Sequence, residues 1–284
     1  MTAKQIPLAI CYDFDGTLAP GNMQERDFIP QIGMDKSGFW QEVKALAKTH
    51  SGDQILLYMK LMLDKAQAQQ VPVRRENFEG YGKKLALFAG VYSSEDENWF
   101  CRINDYGKAS GVEIHHFIVS SGIKEMVMGS PISKFFKEIY ASSFVYDHHG
   151  VAVWPSLALN YTTKTQYLFR INKGSLDVWD DSIINRYVRH ADRPVPFENM
   201  VYIGDGLTDI PCFRLVKDQG GHSIAVYQGN KKDARETAKA IMADGRVNFA
   251  AQANYSEGLL LDRIVKGIID KVSFDTQLRS YGQI

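Results

Sequence analysis

Cysteine is scarce, with only Cys11, Cys101 and Cys212 in 284 residues. They make an odd number with no CxxC or Cys/His spacing, which argues against a disulfide framework and a zinc site and fits a reducing cytoplasm. An excess of charge of either sign is also missing, because 33 Lys plus Arg meet 33 Asp plus Glu. A balanced chain has no general field for holding nucleic acid or an anionic membrane surface, so an anionic ligand needs a local site. No apolar run approaches the ~20 residues of a membrane span. Met1 to Tyr12 is too short and polar for a secretion signal, and no internal repeat or low-complexity segment is visible. The expected setting is a cytoplasmic protein acting on a small molecule, with neither nucleic acid nor membrane as partner.

What is present is ordinary for a globular protein, at 45% hydrophobic and 23% charged residues. The length allows one large core, or one core plus a smaller insert. Ile6 to Tyr12 reads as a buried strand opening into an acidic loop that ends at Gly16. From about 19 to 89 no strand pattern stands out. Phe39, Trp40, Val43, Leu46 and Ala47 recur at helical spacing, as do Ile55, Leu56, Met59, Leu63 and Ala66. That segment predicts a small helical module inserted after the first strand.

Beyond Ser93, helix and strand patterns alternate. Ser94 predicts a helix cap ahead of Glu95, Asp96 and Glu97. Val112 to Val119 predicts a strand stopping at Ser120, and Phe144 to Trp154 a β-hairpin turning at 147–150. Thr165 to Ile171 and Ser182 to Val188 carry helical patterns. Strands are expected over Met200–Ile203 and Ser223–Tyr227, and helices over Lys231–Met242 and Gly258–Val272, with a polar, frayed tail after them. The alternation predicts an α/β fold, a doubly wound and mostly parallel sheet covered on both faces. The expected division is 1–19 with 90–284 as the α/β catalytic core and 20–89 as the helical cap.

Three of the apolar strands end in polar clusters: Asp13-x-Asp15, Ser120-Ser121-Gly122 and Gly204-Asp205-Gly206-x-x-Asp209. In open α/β sheets the ligand crevice lies at the carboxyl ends of the strands, so the clusters should converge. Carboxylates brought together resist ionising, and a hard divalent cation such as Mg²⁺ relieves that. A carboxylate can attack phosphorus to give an acyl-phosphate, while a second one protonates the leaving oxygen and later deprotonates water. A hydroxyl and a lysine can hold the equatorial oxygens as charge builds on them. Lys164 stands where a helix starts, so its ammonium and free backbone N–H groups could both face phosphate. Ser121 competes with Ser120 for the hydroxyl role, and Lys173 with Lys164 for the cation.

Together these clusters resemble the haloacid dehalogenase superfamily. Asp13-Phe14-Asp15-Gly16-Thr17 is similar to its first motif, Ile118-Val119-Ser120 to its second, Lys164 to its third and Gly204 to Asp209 to its fourth. Gly90-Val91, Ile139-Tyr140-Ala141 and Asp209-Ile210-Pro211 extend the resemblance to the phosphoserine-phosphatase-like branch. The resemblance implies Asp13 as nucleophile and metal ligand, and Asp15 as general acid/base with its backbone carbonyl on Mg²⁺. It implies Ser120 holding the phosphoryl group, Lys164 neutralising charge and Asp205 completing the metal shell. Asp209 would bind metal indirectly or orient Lys164. An acid at position 15 disfavours the dehalogenase and phosphonatase activities, neither of which protonates a phosphate-ester oxygen.

The expected function is therefore Mg²⁺-dependent hydrolysis of a small phosphorylated metabolite. The same residues could serve a phosphotransferase or phosphomutase. A non-enzymatic binder on the same fold should have lost one of Asp13, Asp15, Lys164 or Asp205, and all are present. Phosphoserine phosphatases carry an acid shortly after their first motif, where this chain has Asn22; Glu25 could replace it only if the loop shifts. His115-His116 and His148-His149 lack a third zinc ligand at usable spacing. Arg74-Arg75 reads as a solvated face, and Phe39, Trp40, Phe78 and Tyr81 as the core of the helical module.

Overall fold

The computed structural model describes residues 5–281; residues 1–4, where the Met1–Tyr12 stretch begins, and 282–284, the end of the expected tail, lie outside the described residues. β1 (Ile6–Tyr12) is followed by α1 (Phe28–Gln31), α2 (Lys36–His50), α3 (Gln54–Ala68) and α4 (Arg75–Gly82). Next come α5 (Trp99–Ala109), β2 (Val112–Ile123), α6 (Lys124–Gly129), β3 (Phe136–Tyr146) and β4 (Ala152–Leu157). The chain continues through α7 (Lys164–Lys173), β5 (Met200–Gly204), α8 (Ile210–Asp218) and β6 (His222–Tyr227). It closes with α9 (Lys232–Ala243), β7 (Phe249–Gln252) and α10 (Leu260–Tyr281).

Among the described residues the strands form one seven-stranded sheet in the order β4-β3-β2-β1-β5-β6-β7. β4 is antiparallel to β3, and every other pairing is parallel. The sequence of β1 shows why both faces are covered. Leu8, Ile10 and Tyr12 point into the core beneath α5 and α10, while Ala9 and Cys11 point into the opposite core beneath α7 and α8. Successive side chains of a strand face opposite ways, so an unbroken apolar strand needs a layer on each side. β1 lies between β2 and β5, where the chain reverses its direction of winding, and that places a crevice at its carboxyl end.

The helices after β1 are fixed by their caps and by an apolar face. Asp35 accepts from Gly38 N at 2.9 Å to cap α2, and Asp53 accepts from the amides of Ile55 and Leu56 to cap α3. Phe39, Val43, Met59, Met62 and Phe78 are fully buried and continuous with the core under α5. Phe78 stacks on Phe144 of β3, with ring centroids 5.3 Å apart. Among the described residues, no helix is long and apolar enough to cross a membrane.

Several local expectations are corrected. α5 starts at Trp99, because Asn98 and not Ser94 caps it, accepting from Cys101 N at 2.9 Å; Ser94 Oγ accepts from Glu97 N in a preceding turn. β2 does not stop at Ser120 but runs on to Ile123. Ser182–Val188 is not helical: Lys173 Nζ donates to the carbonyls of Ile184 and Arg186, which a helix would give to its own amides. β7 has no counterpart in the sequence reading. α10 extends through the expected tail to Tyr281, tied down where Ser273 Oγ donates to Ser110 O at 2.8 Å.

Candidate active site

The loop after β1 begins where the sheet ends. Asp13 N still donates to Ile203 O at 2.9 Å, so the first carboxylate leaves the sheet on a fixed backbone. Beyond it the amides of Thr17, Leu18 and Ala19 all turn back to Phe14 O, and Gly16 N donates to Ala19 O at 2.7 Å. Gly16 sits at φ +76°, and a Cβ there would fall 2.0 Å from a carboxylate oxygen of Asp205. Both the left-handed backbone and the close approach require glycine. That close approach brings the end of β5 against the end of β1.

Lys164 opens α7 and is 1% exposed. Its Nζ lies 3.1 Å from Asp13 Oδ1 and 2.8 Å from Asp209 Oδ1. Burial alone would lower the ammonium's pKa, but the carboxylates of Asp13 and Asp209 outweigh it and hold Lys164 charged. Asp209 Oδ1 also accepts from the Tyr202 hydroxyl at 2.7 Å, and Oδ2 from the backbone amides of Asp205 and Gly206. Both oxygens of Asp209 are therefore occupied by donors. Lys173 is not in this group, being turned to the 184–186 segment.

One oxygen each from Asp13, Asp205 and Asp209 lies within 4.8 Å of the other two. Burial pushes Asp13 up to about 6, with Lys164 pulling it down and Asp209 raising it. Burial likewise pushes Asp205 up to about 8, with Asp209 and Asp13 adding to the shift. Asp15 is raised well above the usual carboxylate range by burial and by Asp13. Three carboxylates around one ammonium leave an excess of negative charge that a hard divalent cation would neutralise, and oxygen donors suit Mg²⁺.

Asp15 lines the same cavity as Asp13. Its Oδ1 accepts from Met23 N at 3.0 Å. Ser120, three residues before the end of β2, is 1% exposed, and its Oγ accepts from Gly122 N at 3.1 Å. Asp13, Asp15, Ser120, Ser121, Lys164 and Asp205 line one cavity of about 840 Å³. Asp209 stands behind Lys164, fully buried.

The cavity's far wall comes from the segment after β1. Asn22, Gln24, Glu25, Lys36, Trp40 and Tyr58 reach it. Glu25 does enter the cavity, its Oε1 accepting from Asn22 Nδ2 at 2.7 Å and Trp40 Nε1 at 2.8 Å. Phe39, Phe78 and Tyr81 are core residues as expected, but Trp40 lines the cavity as well as packing on Phe39. Neither Arg74 nor Arg75 lines it; Arg75 lies over the Tyr146 ring. Sequence reasoning missed Tyr202 and Tyr58. Both sit in apolar patterns that read as core, and only the hydroxyl of each betrays a polar partner.

The chain is similar to known proteins over most of its length. An uncharacterized protein of Borreliella burgdorferi is 30% identical over 286 residues, covering 92% of this chain and 96% of that one. A phosphoserine phosphatase structure with a phospho-aspartyl intermediate analogue superposes with a TM-score of 0.54 at 16% identity, covering 93% of this chain and 99% of that one. A HAD family hydrolase from Salmonella enterica serovar Typhi gives a TM-score of 0.51 at 16% identity, covering 81% of this chain; the chain spans 66% of that structure. These structural likenesses show a shared fold. The family pattern of haloacid dehalogenase-like hydrolases matches residues 10–214. That match runs from within β1, through Asp13, to beyond Asp209, and on it the chain belongs to the haloacid dehalogenase-like hydrolase family.

Proposed function

We propose that this hydrolase is a Mg²⁺-dependent phosphomonoesterase that works through an aspartyl-phosphate on Asp13. The observation that carries the reading is the placement of Lys164 Nζ, 3.1 Å from Asp13 Oδ1 and backed by Asp209. A cation beside a nucleophilic carboxylate is what an incoming phosphoryl group needs, because it offsets repulsion between two anions. Likeness to phosphoserine phosphatase structures, one with a phospho-aspartyl intermediate analogue and one with substrate bound, is in keeping with it.

Asp13 attacks phosphorus, forming a carboxylate oxygen–phosphorus bond as the ester P–O bond breaks. Asp15 supplies the proton that the leaving alkoxide takes; its raised pKa keeps it protonated for that step. Asp15 then accepts a proton from water as that water attacks phosphorus, and the bond to Asp13 breaks to release phosphate. Ser120 Oγ and Lys164 Nζ hold the equatorial oxygens. Asp13, Asp205 and the backbone carbonyl of Asp15 would hold Mg²⁺, which supplies charge neutralisation at the phosphoryl oxygens. Asp209, already committed to four donors, orients Lys164.

The segment 20–89 serves as a cap over the leaving group, excluding water during attack and opening for release. The Asn22–Glu25 stretch on its inner wall suits a small metabolite bearing hydrogen-bond donors. Three free cysteines support a reducing, cytoplasmic setting.

The test is phosphate release from a broad panel of phosphomonoesters with Mg²⁺, with Asp13→Asn as control. Activity on at least one ester that the variant abolishes supports the reading, and no release from any ester overturns it. Running the panel with and without acceptor alcohols separates hydrolysis from transfer.

A further inference from the structure

The carboxyl end of β2 leaves the sheet at the place where the phosphoryl group would be held. Pairing with β3 shifts once between His116 and Phe117, holds register from Phe117 to Val119 opposite Tyr140, then shifts again before resuming at Ile123 opposite Ser142. Pairing with β1 has already ended at Ile118. Ser120, Ser121 and Gly122 thus form a bulge whose buried polar groups need other partners. Gly122 N finds Ser120 Oγ at 3.1 Å. The Ser121 carbonyl accepts from Ser142 Oγ at 3.2 Å and, at a shorter 2.6 Å, from the Tyr58 hydroxyl.

Tyr58 belongs to α3, in the segment proposed as the cap, and is 2% exposed. At the N-cap of the same helix, Asp53 Oδ2 accepts from Asn160 Nδ2 at 2.8 Å, in the loop that leads into Lys164. One helix therefore touches both the serine-bearing and the lysine-bearing sides of the site. The bulge also borders Asp15. A Cβ built on Gly122 would lie 3.2 Å from Asp15 Oδ2 and 2.4 Å from Met23 Cε. Met23 in turn gives its N–H to Asp15 Oδ1, and its Sδ lies 3.1 Å from Ile123 N. Rotation of the Ser121–Gly122 peptide would disturb the Ser120 hydroxyl on one side and Asp15 on the other.

We infer that Tyr58 is a positioning residue: its hydrogen bond to the Ser121 carbonyl holds the Ser120–Gly122 bulge and Asp15 in working register, and does so only while α3 is docked on the core. The inference rests on the phosphatase reading above. It makes the cap part of the phosphoryl site, because a cap residue replaces a hydrogen bond that the sheet has given up. Cap docking and assembly of the site become one event.

The experiment compares the wild type with Tyr58→Phe on two substrates in the presence of Mg²⁺. One is an alkyl phosphomonoester, whose leaving group needs the Asp15 proton; the other is p-nitrophenyl phosphate, whose leaving group does not. Phe keeps the ring that packs 5.7 Å from Trp40, and Ser142 still serves the Ser121 carbonyl, so the fold is preserved. Loss of one buried hydrogen bond that orients the site should lower kcat/KM for the alkyl ester roughly tenfold. The aryl ester should lose distinctly less, and inhibition by inorganic phosphate should weaken. An equal loss on both esters marks a purely structural role and overturns the proposal, as does no change in any of these readouts. A wild type inactive on every ester overturns the phosphatase reading, and this one with it.

Discussion

Asp209 and Lys164 form a buried ion pair, with Oδ1 accepting from Nζ at 2.8 Å. Tyr202 and two backbone amides hold the same carboxylate, so it cannot turn, and the ammonium is fixed beside Asp13. Removing one partner of a buried pair leaves the other's charge uncompensated, which costs about 3–5 kcal/mol. Lys164→Met should therefore lose activity and also unfold at lower denaturant. Lys173→Met, which breaks only contacts to the 184–186 backbone, should keep its turnover. Chemical denaturation and steady-state rates of the two variants check this. Equal turnover in both would remove Lys164 from the mechanism.

Tyr202→Phe removes a hydroxyl from Asp209 without removing the ion pair. A hydrogen bond to a charged group is worth about 1.5–3 kcal/mol, so stability should fall by roughly that amount in a denaturant titration. The turnover should drop while KM changes little, because Tyr202 holds the group that orients Lys164 and does not line the cavity. An unchanged unfolding midpoint would show that the hydroxyl carries no such load.

The raised carboxylates make the metal-free protein sensitive to pH. Asp205 goes from an ordinary 3.8 to about 8 on folding, and Asp13 from 3.8 to about 6. Between the ordinary and the raised values the folded state holds more protons than the unfolded chain. This contribution to stability is complete below the unfolded value and disappears as pH rises through about 6 and then about 8. Thermal melts of metal-free protein should fall across that window, and fall less in Asp205→Asn. Added Mg²⁺ should raise the midpoint most at the alkaline end, where its ligands are ionised. A metal-free midpoint that rises over the window would contradict the burial and crowding of these carboxylates.

The parts of the site visible in the sequence were those that break a pattern. Asp13, Ser120 and Asp205 each stand where an apolar strand gives way to polar residues, and Lys164 where a helix opens, so position exposed them. Tyr202 and Tyr58 obey the pattern around them and were hidden by it. The sheet was legible because β1, β5 and β6, and β2 from His116 to Ser120, are largely buried on both faces. β7 is four residues long and only partly buried, so it carries no apolar run that marks a strand. The 182–188 segment has helical spacing, but Arg170 and Lys173 hold the backbone carbonyls from Asp177 to Arg186 in irregular turns. Competition of that kind is decided by tertiary contacts and leaves no local signature.

Turnover through Asp13 requires a covalent bond between its carboxylate and phosphorus. Rapid mixing of enzyme, Mg²⁺ and a hydrolysed ester, followed by acid quench and peptide mass spectrometry, reads that bond directly. A phosphoryl group should appear on the peptide carrying Asp13, rise and decay with turnover, and accumulate further in Asp15→Asn when a good leaving group removes the need for its proton. Steady phosphate release with no phosphoryl group on that peptide, in either protein, would contradict the mechanism.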